Sequence, residues 1–178
     1  SAPTLYIKMH YDVSTGTPGS FIAFDDWLIE GTQSPIYYWN GTGNLDVLTS
    51  WGQNTNGTGV NPTNFTTADQ VFNIVNGTSP TIGAAWTVSG TNAKVIVGDG
   101  TAPHPNFTVP TGFAFVVSGG AALQVSNNAT LTLQNTTLPT TSAATFTTGS
   151  TVNYAQASNV NVIGVSHSNL TISGGANK

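Results

Sequence analysis

The sequence predicts an all-β fold, best matched by a parallel β-helix or solenoid with an N-terminal β-hairpin or capping strands, the alternative being an antiparallel β-sandwich or jelly roll. Three observations carry this. Only 6% of the residues are charged, against about 25% in ordinary globular proteins, yet Thr, Val, Ile and the aromatics that suit a pleated sheet are plentiful. Apolar residues alternate with Thr, Asn or Ser in many short runs separated by Gly-, Asn- and Pro-rich turns. Strand positions also recur: Leu123, Phe146 and Leu170 are about 23 residues apart and Leu131 and Val152 about 21, a period that suits one coil of a β-solenoid.

The elements follow in chain order. "TLYIKMHYDV" (Thr4–Val13) and "GSFIAFDDWLIEG" (Gly19–Gly31) read as two strands joined by the turn Ser14–Ser20, so residues 1–34 form a strand pair, a cap or subunit-exchange segment. Residues 35–178 form the β-rich solenoid-like domain. Its strands are expected at "QVFNIV" (Gln70–Val75), "AWTVS" (Ala85–Ser89), "AKVIVGDG" from Ala93, "FTVP" from Phe107 and "GFAFVVS" from Gly112. They continue with "AALQVS" from Ala121, "ATLTLQ" from Ala129, "ATFTTGSTVNY" from Ala144, "NVNVIG" from Asn159 and "NLTISG" from Asn169. In a solenoid the backbone of each strand pairs with the coils above and below, while alternate Leu, Val, Ile and Phe fill a narrow core.

Composition also restricts partners. Lys8, Lys94 and Lys178 are the only cations besides histidine, and there is no Arg. A nucleic-acid partner, which requires several cations to neutralise phosphates, is therefore excluded, and an anionic membrane surface is disfavoured. No apolar run approaches the ~20 residues that span a bilayer. Without cysteine there is no disulfide and no thiolate metal site. The chain opens at Ser1 without a basic and apolar leader, which reads as a mature or trimmed form; with the charge-poor surface, this favours an extracellular or cell-surface location. Asn-X-Thr sequons at Asn40, Asn56, Asn64, Asn76, Asn106, Asn128, Asn135 and Asn169 are candidate glycosylation sites.

The stretch "YYWNGTGNLDVLTSWGQNTNGTGVNPTNFTTADQVFNIVNG" (Tyr37–Gly77) carries Trp39, Trp51, Gly52, Pro62, Asn64, Phe65 and Asp69 in a characteristic order. It resembles the opening segment of large secreted β-helix surface proteins of gliding and marine Bacteroidota. "AKVIVGDGT", "NATLTLQNTT", "GSTVNYAQA" and "SNLTISGGANK" are similar to coils of the same proteins. The resemblance spans about residues 34–178 and leaves out the first 34. It implies an exported, adhesin-like protein with further coils; an end left open at "GGANK" is then expected to be capped, paired with another subunit or cut.

Few residues offer chemistry. The acids Asp12, Asp25, Asp26, Glu30, Asp46, Asp69 and Asp99 have no paired spacing, since neighbours such as Asp25 and Asp26 face opposite sides of a strand. His10, His104 and His167 lack metal-ligand spacing. Asp99 in "VGDGT" is a weak Ca²⁺ candidate, although a Gly-Asp-Gly turn accounts for it without an ion. Trp27, Tyr38, Trp39 and Trp51 are the candidates for stacking on sugar rings, set against the simpler expectation that such aromatics plug the first coil. Thr-rich strands also resemble ice-binding arrays but are irregular. The sequence therefore points to a non-enzymatic structural protein without cofactors, joined to copies of itself by β-strand addition and possessing surface glycans as a second class of partner. A carbohydrate-binding module and a polysaccharide-degrading enzyme are the alternatives.

Overall fold

The computed structural model describes residues 34–140, 143–157 and 160–175. All but the last residue of the expected strand pair of residues 1–34, together with Trp27 and the acids before Asp46, lies outside them. Twelve strands occur among the described residues, with one 3₁₀ turn at Leu48–Ser50 and no α-helix. They are β1 Ile36–Trp39, β2 Trp51–Gly52, β3 Val71–Ile74, β4 Trp86–Val88, β5 Lys94–Val97, β6 Asn106–Val109, β7 Phe115–Val117, β8 Ala122–Val125, β9 Thr130–Leu133, β10 Ala144–Phe146, β11 Thr151–Tyr154 and β12 Asn169–Ile172. Each is short because an Asn-, Gly- or Pro-bearing turn ends the run within four residues.

The strands make three sheets. Sheet A has the order β10-β8-β5-β3-β1-β2, sheet B β12-β11-β9-β6, and sheet C β4-β7. From β5 to β11 the chain visits the sheets in turn: β5, β6 and β7 lie in A, B and C, then β8 and β9 lie in A and B. Pro139 next accepts a hydrogen bond from the Val117 backbone N–H beside sheet C (2.6 Å), and β10 and β11 return to A and B. Eight of the nine strand pairs are parallel, and only β1–β2 is antiparallel.

The register puts like with like. Phe107, Leu131, Val152 and Leu170 form one column of sheet B, with Val109, Leu133, Tyr154 and Ile172 beside it. In sheet A, Phe72, Val95 and Leu123 form one column, and Ile74, Val97, Val125 and Phe146 another. The expected recurrence of Leu131 and Val152 is thus a true column, whereas that of Leu123, Phe146 and Leu170 is not. Phe146 faces Val125 rather than Leu123, and Leu170 belongs to the other sheet. The number of residues between paired strands of one sheet varies, so a fixed spacing drifts out of register.

Other expectations are corrected. "ATFTTGSTVNY" divides into β10 and β11 because Gly149, at φ 84°, carries a tight turn between them. The described part of "NVNVIG" is not a strand: Ile163 is buried, but Val162 points to solvent at 45% exposure. Strands β1 and β2 lie where none was expected, in a stretch dominated by aromatic and turn residues.

The core is continuous through the described body, and its composition changes along the stack. In the early strands it is aromatic: Trp51 lies 5.3 Å from Phe72 and 5.8 Å from Trp86, while Trp86 stacks on Phe115 at 4.8 Å. From β8 to β11 it is mainly aliphatic, with Leu123, Val125, Leu131, Leu133 and Val152 all buried.

Candidate functional site

The sugar-stacking candidates separate according to strand geometry. Alternation along β1 sends Trp39 inward, 3% exposed, and leaves Tyr38 half-buried on the outer face. Trp51 is fully buried and its indole N–H donates to the Leu45 carbonyl at 2.9 Å. Neither tryptophan presents a ring face to solvent, so Trp39 and Trp51 are corrected as sugar-stacking candidates: of the described candidates, only Tyr38 reaches the surface. Burial of apolar ring area outweighs exposure here, because Trp51 packs against the Phe65, Phe72 and Trp86 rings.

The sequons have a structural logic that their abundance hinted at. At Asn40, Asn56 and Asn64 the side-chain Oδ1 accepts hydrogen bonds from both the backbone N–H and the hydroxyl of the Thr two residues on. At Asn135 it accepts the Thr137 backbone N–H. Asp99, which is no sequon, makes the same pair of bonds to Thr101 at 2.9 and 2.7 Å. Asn/Asp-X-Thr is therefore a turn motif that satisfies backbone groups locally. Asn76 instead donates to the carbonyls of Trp39 and Thr55, Asn135 donates to Phe113, and Asn169 to Ser150. Asn106 accepts from the Thr132 hydroxyl on the neighbouring strand, and Asn128 adopts φ 62° in the turn before β9. A glycan on Asn76 would displace at least one of its two bonds.

A second turn pattern escaped the sequence reading. Two positions before the paired residues Val71, Lys94 and Ala122 stand Asp69, Asn92 and Gly120, all at positive φ, and Asn92 donates an amide hydrogen bond to Asp69 at 3.0 Å. Asn128 and Gly149 hold the same place before β9 and β11. Asn, Asp and Gly are the residues that tolerate this conformation, so the signal was present as an Asn/Asp/Gly residue followed by a buried Gln, Ala or Ser.

The described acids do not converge. Asp46 accepts the Gly83 backbone N–H at 2.6 Å, Asp69 is bonded to Asn92, and Asp99 to Thr101. Hydrogen bonds from Thr101 hold the Asp99 carboxyl below the ordinary carboxylate range. Among the described residues no three His, Cys, Asp or Glu side chains gather where they could hold a metal ion. An open groove of about 450 Å³ beside Val117, Ser118, Ala121, Ala122, Thr140 and Ala143 has no titratable lining residue.

One titratable pair does form, without any sequence motif to announce it. The buried phenol of Tyr154 accepts the Ile163 backbone N–H at 3.0 Å and lies 2.8 Å from His167 Nε2. The His167 ring also rests on Phe146, 4.8 Å between centroids, while buried Gln156 accepts the Asn161 N–H at 2.9 Å. Together these bonds tie residues 160–168 to the end of β11.

Burial raises the Tyr154 phenol above its ordinary value near 10. The unfolded chain would release this proton first, so the contribution is constant below pH ~10 and stability falls as pH rises beyond it. Alkaline titration of wild type and Tyr154→Phe, followed by circular dichroism, is expected to show a steeper loss above pH ~10 in the wild type. Parallel curves would remove Tyr154 from that role.

A scan against protein-family models and searches of curated proteins and of solved structures find no match to this chain.

Proposed function

We propose that the chain is a non-catalytic structural module of an exported cell-surface protein, an adhesin or self-assembling filament, and that its strands wind as a parallel β-helix. The supporting observation is the passage of the chain through three sheets in turn, with each new strand laid parallel and in register on the last. Parallel neighbours require crossovers, whereas a sandwich built from hairpins would pair its strands antiparallel. The cell-surface part of the proposal rests on the resemblance noted in the sequence of residues 34–178.

The work of such a module is mechanical. Stacked strands share load through their hydrogen-bond ladders, an uncharged coat of Thr, Asn and Ser limits charge-driven sticking, and exposed strand edges allow addition of another strand. The segment Thr4–Val13, outside the described residues, is the sequence-level candidate for that exchange. Electron microscopy of native material, combined with glycan-array binding and polysaccharide hydrolysis assays, tests the reading. Rods or surface fibres without sugar binding or turnover are expected. Specific glycan binding or hydrolysis by isolated compact particles would overturn it.

A further inference from the structure

The tripeptide Asn-Gly-Thr occurs three times, beginning at Asn40, Asn56 and Asn76, and the fold treats the copies differently. All three meet at the end of β1: Asn76 Nδ2 donates to the Trp39 and Thr55 carbonyls at 2.6 and 2.9 Å, and a Cβ on Gly57 would collide with the Asn40 backbone. At Asn40 the Oδ1 atom accepts the Thr42 backbone N–H and hydroxyl at 2.9 and 3.1 Å. Among the described residues the Gly41 N–H has no hydrogen-bond partner. At Asn56 the Oδ1 bonds to Thr58 are of the same kind, but the Gly57 N–H is tied to the Asn54 carbonyl at 2.8 Å. At Asn76 it is the amide nitrogen that is held.

We propose that Asn40 is a self-modifying residue, converted spontaneously to aspartate or isoaspartate. The Gly41 backbone nitrogen attacks Asn40 Cγ: the N–Cγ bond forms, the Cγ–Nδ2 bond breaks, and the amide leaves as ammonia with the proton lost by Gly41. Water then opens the succinimide, giving aspartate when it enters at Cγ and isoaspartate when it enters at the backbone carbonyl. Negative charge develops on Oδ1 during the attack, where the two Thr42 donors already point. Gly41, at φ 84° and without a Cβ, leaves the nucleophile unhindered. Asn56 has the same donors but a restrained nucleophile, and it reacts more slowly. Asn76 is slowest, because two carbonyls anchor its leaving nitrogen. Asn64 Oδ1 accepts bonds from Thr66 and Thr67, yet the Phe65 side chain that follows hinders attack. The aspartate product has a counterpart in the fold: Asp99-Gly100-Thr101 makes the same pair of bonds, so the turn survives conversion of Asn40 to aspartate.

The shared tripeptide supplies an internal control. In denaturant the three sites are expected to lose ammonia at similar rates, whereas in the folded full chain Asn40 leads, Asn56 follows and Asn76 lags. Peptide mass spectrometry after incubation in heavy-oxygen water at mildly alkaline pH reads each site separately. Thr42→Val removes the hydroxyl donor from an exposed position. It is expected to slow Asn40 several-fold in the folded chain, with Asn56 and the circular dichroism unchanged. Asn56 or Asn76 reacting as fast as Asn40 in the folded wild type would overturn the assignment. So would an Asn40 rate that is the same in folded Thr42→Val as in the wild type.

Discussion

Trp86→Ala is expected to destabilise the protein by about 3–5 kcal/mol, the range for truncating a large buried aromatic. Trp86 is 1% exposed and sits at the centre of the aromatic part of the core, stacked on Phe115 and within 6.1 Å of the Phe107, Phe65 and Trp51 ring centroids. These partners are held by three different sheets and a loop, so they cannot all close onto the void. Chemical denaturation should show a lower midpoint with an unchanged slope. A shift below about 1 kcal/mol would mean that the aromatic stack can rearrange, contrary to the close packing expected of interiors.

The second large effect concerns Leu131→Asn. Leu131 is fully buried in the column between Phe107 and Val152, on a strand paired along both edges. The substitution forfeits apolar burial and places an amide where its column neighbours offer no hydrogen bond. The summed penalty is about 4–6 kcal/mol, comparable to the whole stability of many domains at about 5–15 kcal/mol. The neighbouring change Thr130→Asn, on the outward face, should stay within about 0.5 kcal/mol. Thermal unfolding of the pair provides the comparison, and equal effects would contradict the inward–outward alternation of β9.

Much of this alternation could be read directly from the chain. "TLTL" declares its faces because Leu alternates with Thr, and the structure buries Leu131 and Leu133 fully with Thr130 only partly covered, although Thr132 is also buried; in "KVIV" Val95 and Val97 are fully buried, Ile96 partly and Lys94 is exposed. Parallel pairing was foreshadowed by the return of similar strands after twenty-odd residues. The exact columns were hidden because the intervals between paired strands differ, and insertions at turns leave no mark in a hydrophobic pattern. β1 was missed since Ile36–Trp39 has no polar alternation: Tyr38 is outward and Tyr37 inward, with the same side-chain type on both faces.

Candidate sites were less legible. Aromatic residues in sequence do not say whether a ring packs inward or stands on the surface, and Trp39 and Trp51 went inward. The sequons carried two meanings, and only the hydrogen bonds from Thr42, Thr58 and Thr66 disclose the turn motif. The Tyr154–His167 contact joins residues thirteen positions apart through tertiary packing, beyond the reach of any spacing rule.

The placement of Lys94 has a consequence for resistance to proteolysis. It is the sole Lys or Arg between Lys8 and Lys178, and it lies in β5 with its backbone bonded between β3 and β8. A trypsin-like protease must draw its target as an extended segment into a narrow cleft, and here the one interior scissile bond is clamped on both sides by neighbouring strands. Digestion at that bond therefore waits on the opening of sheet A.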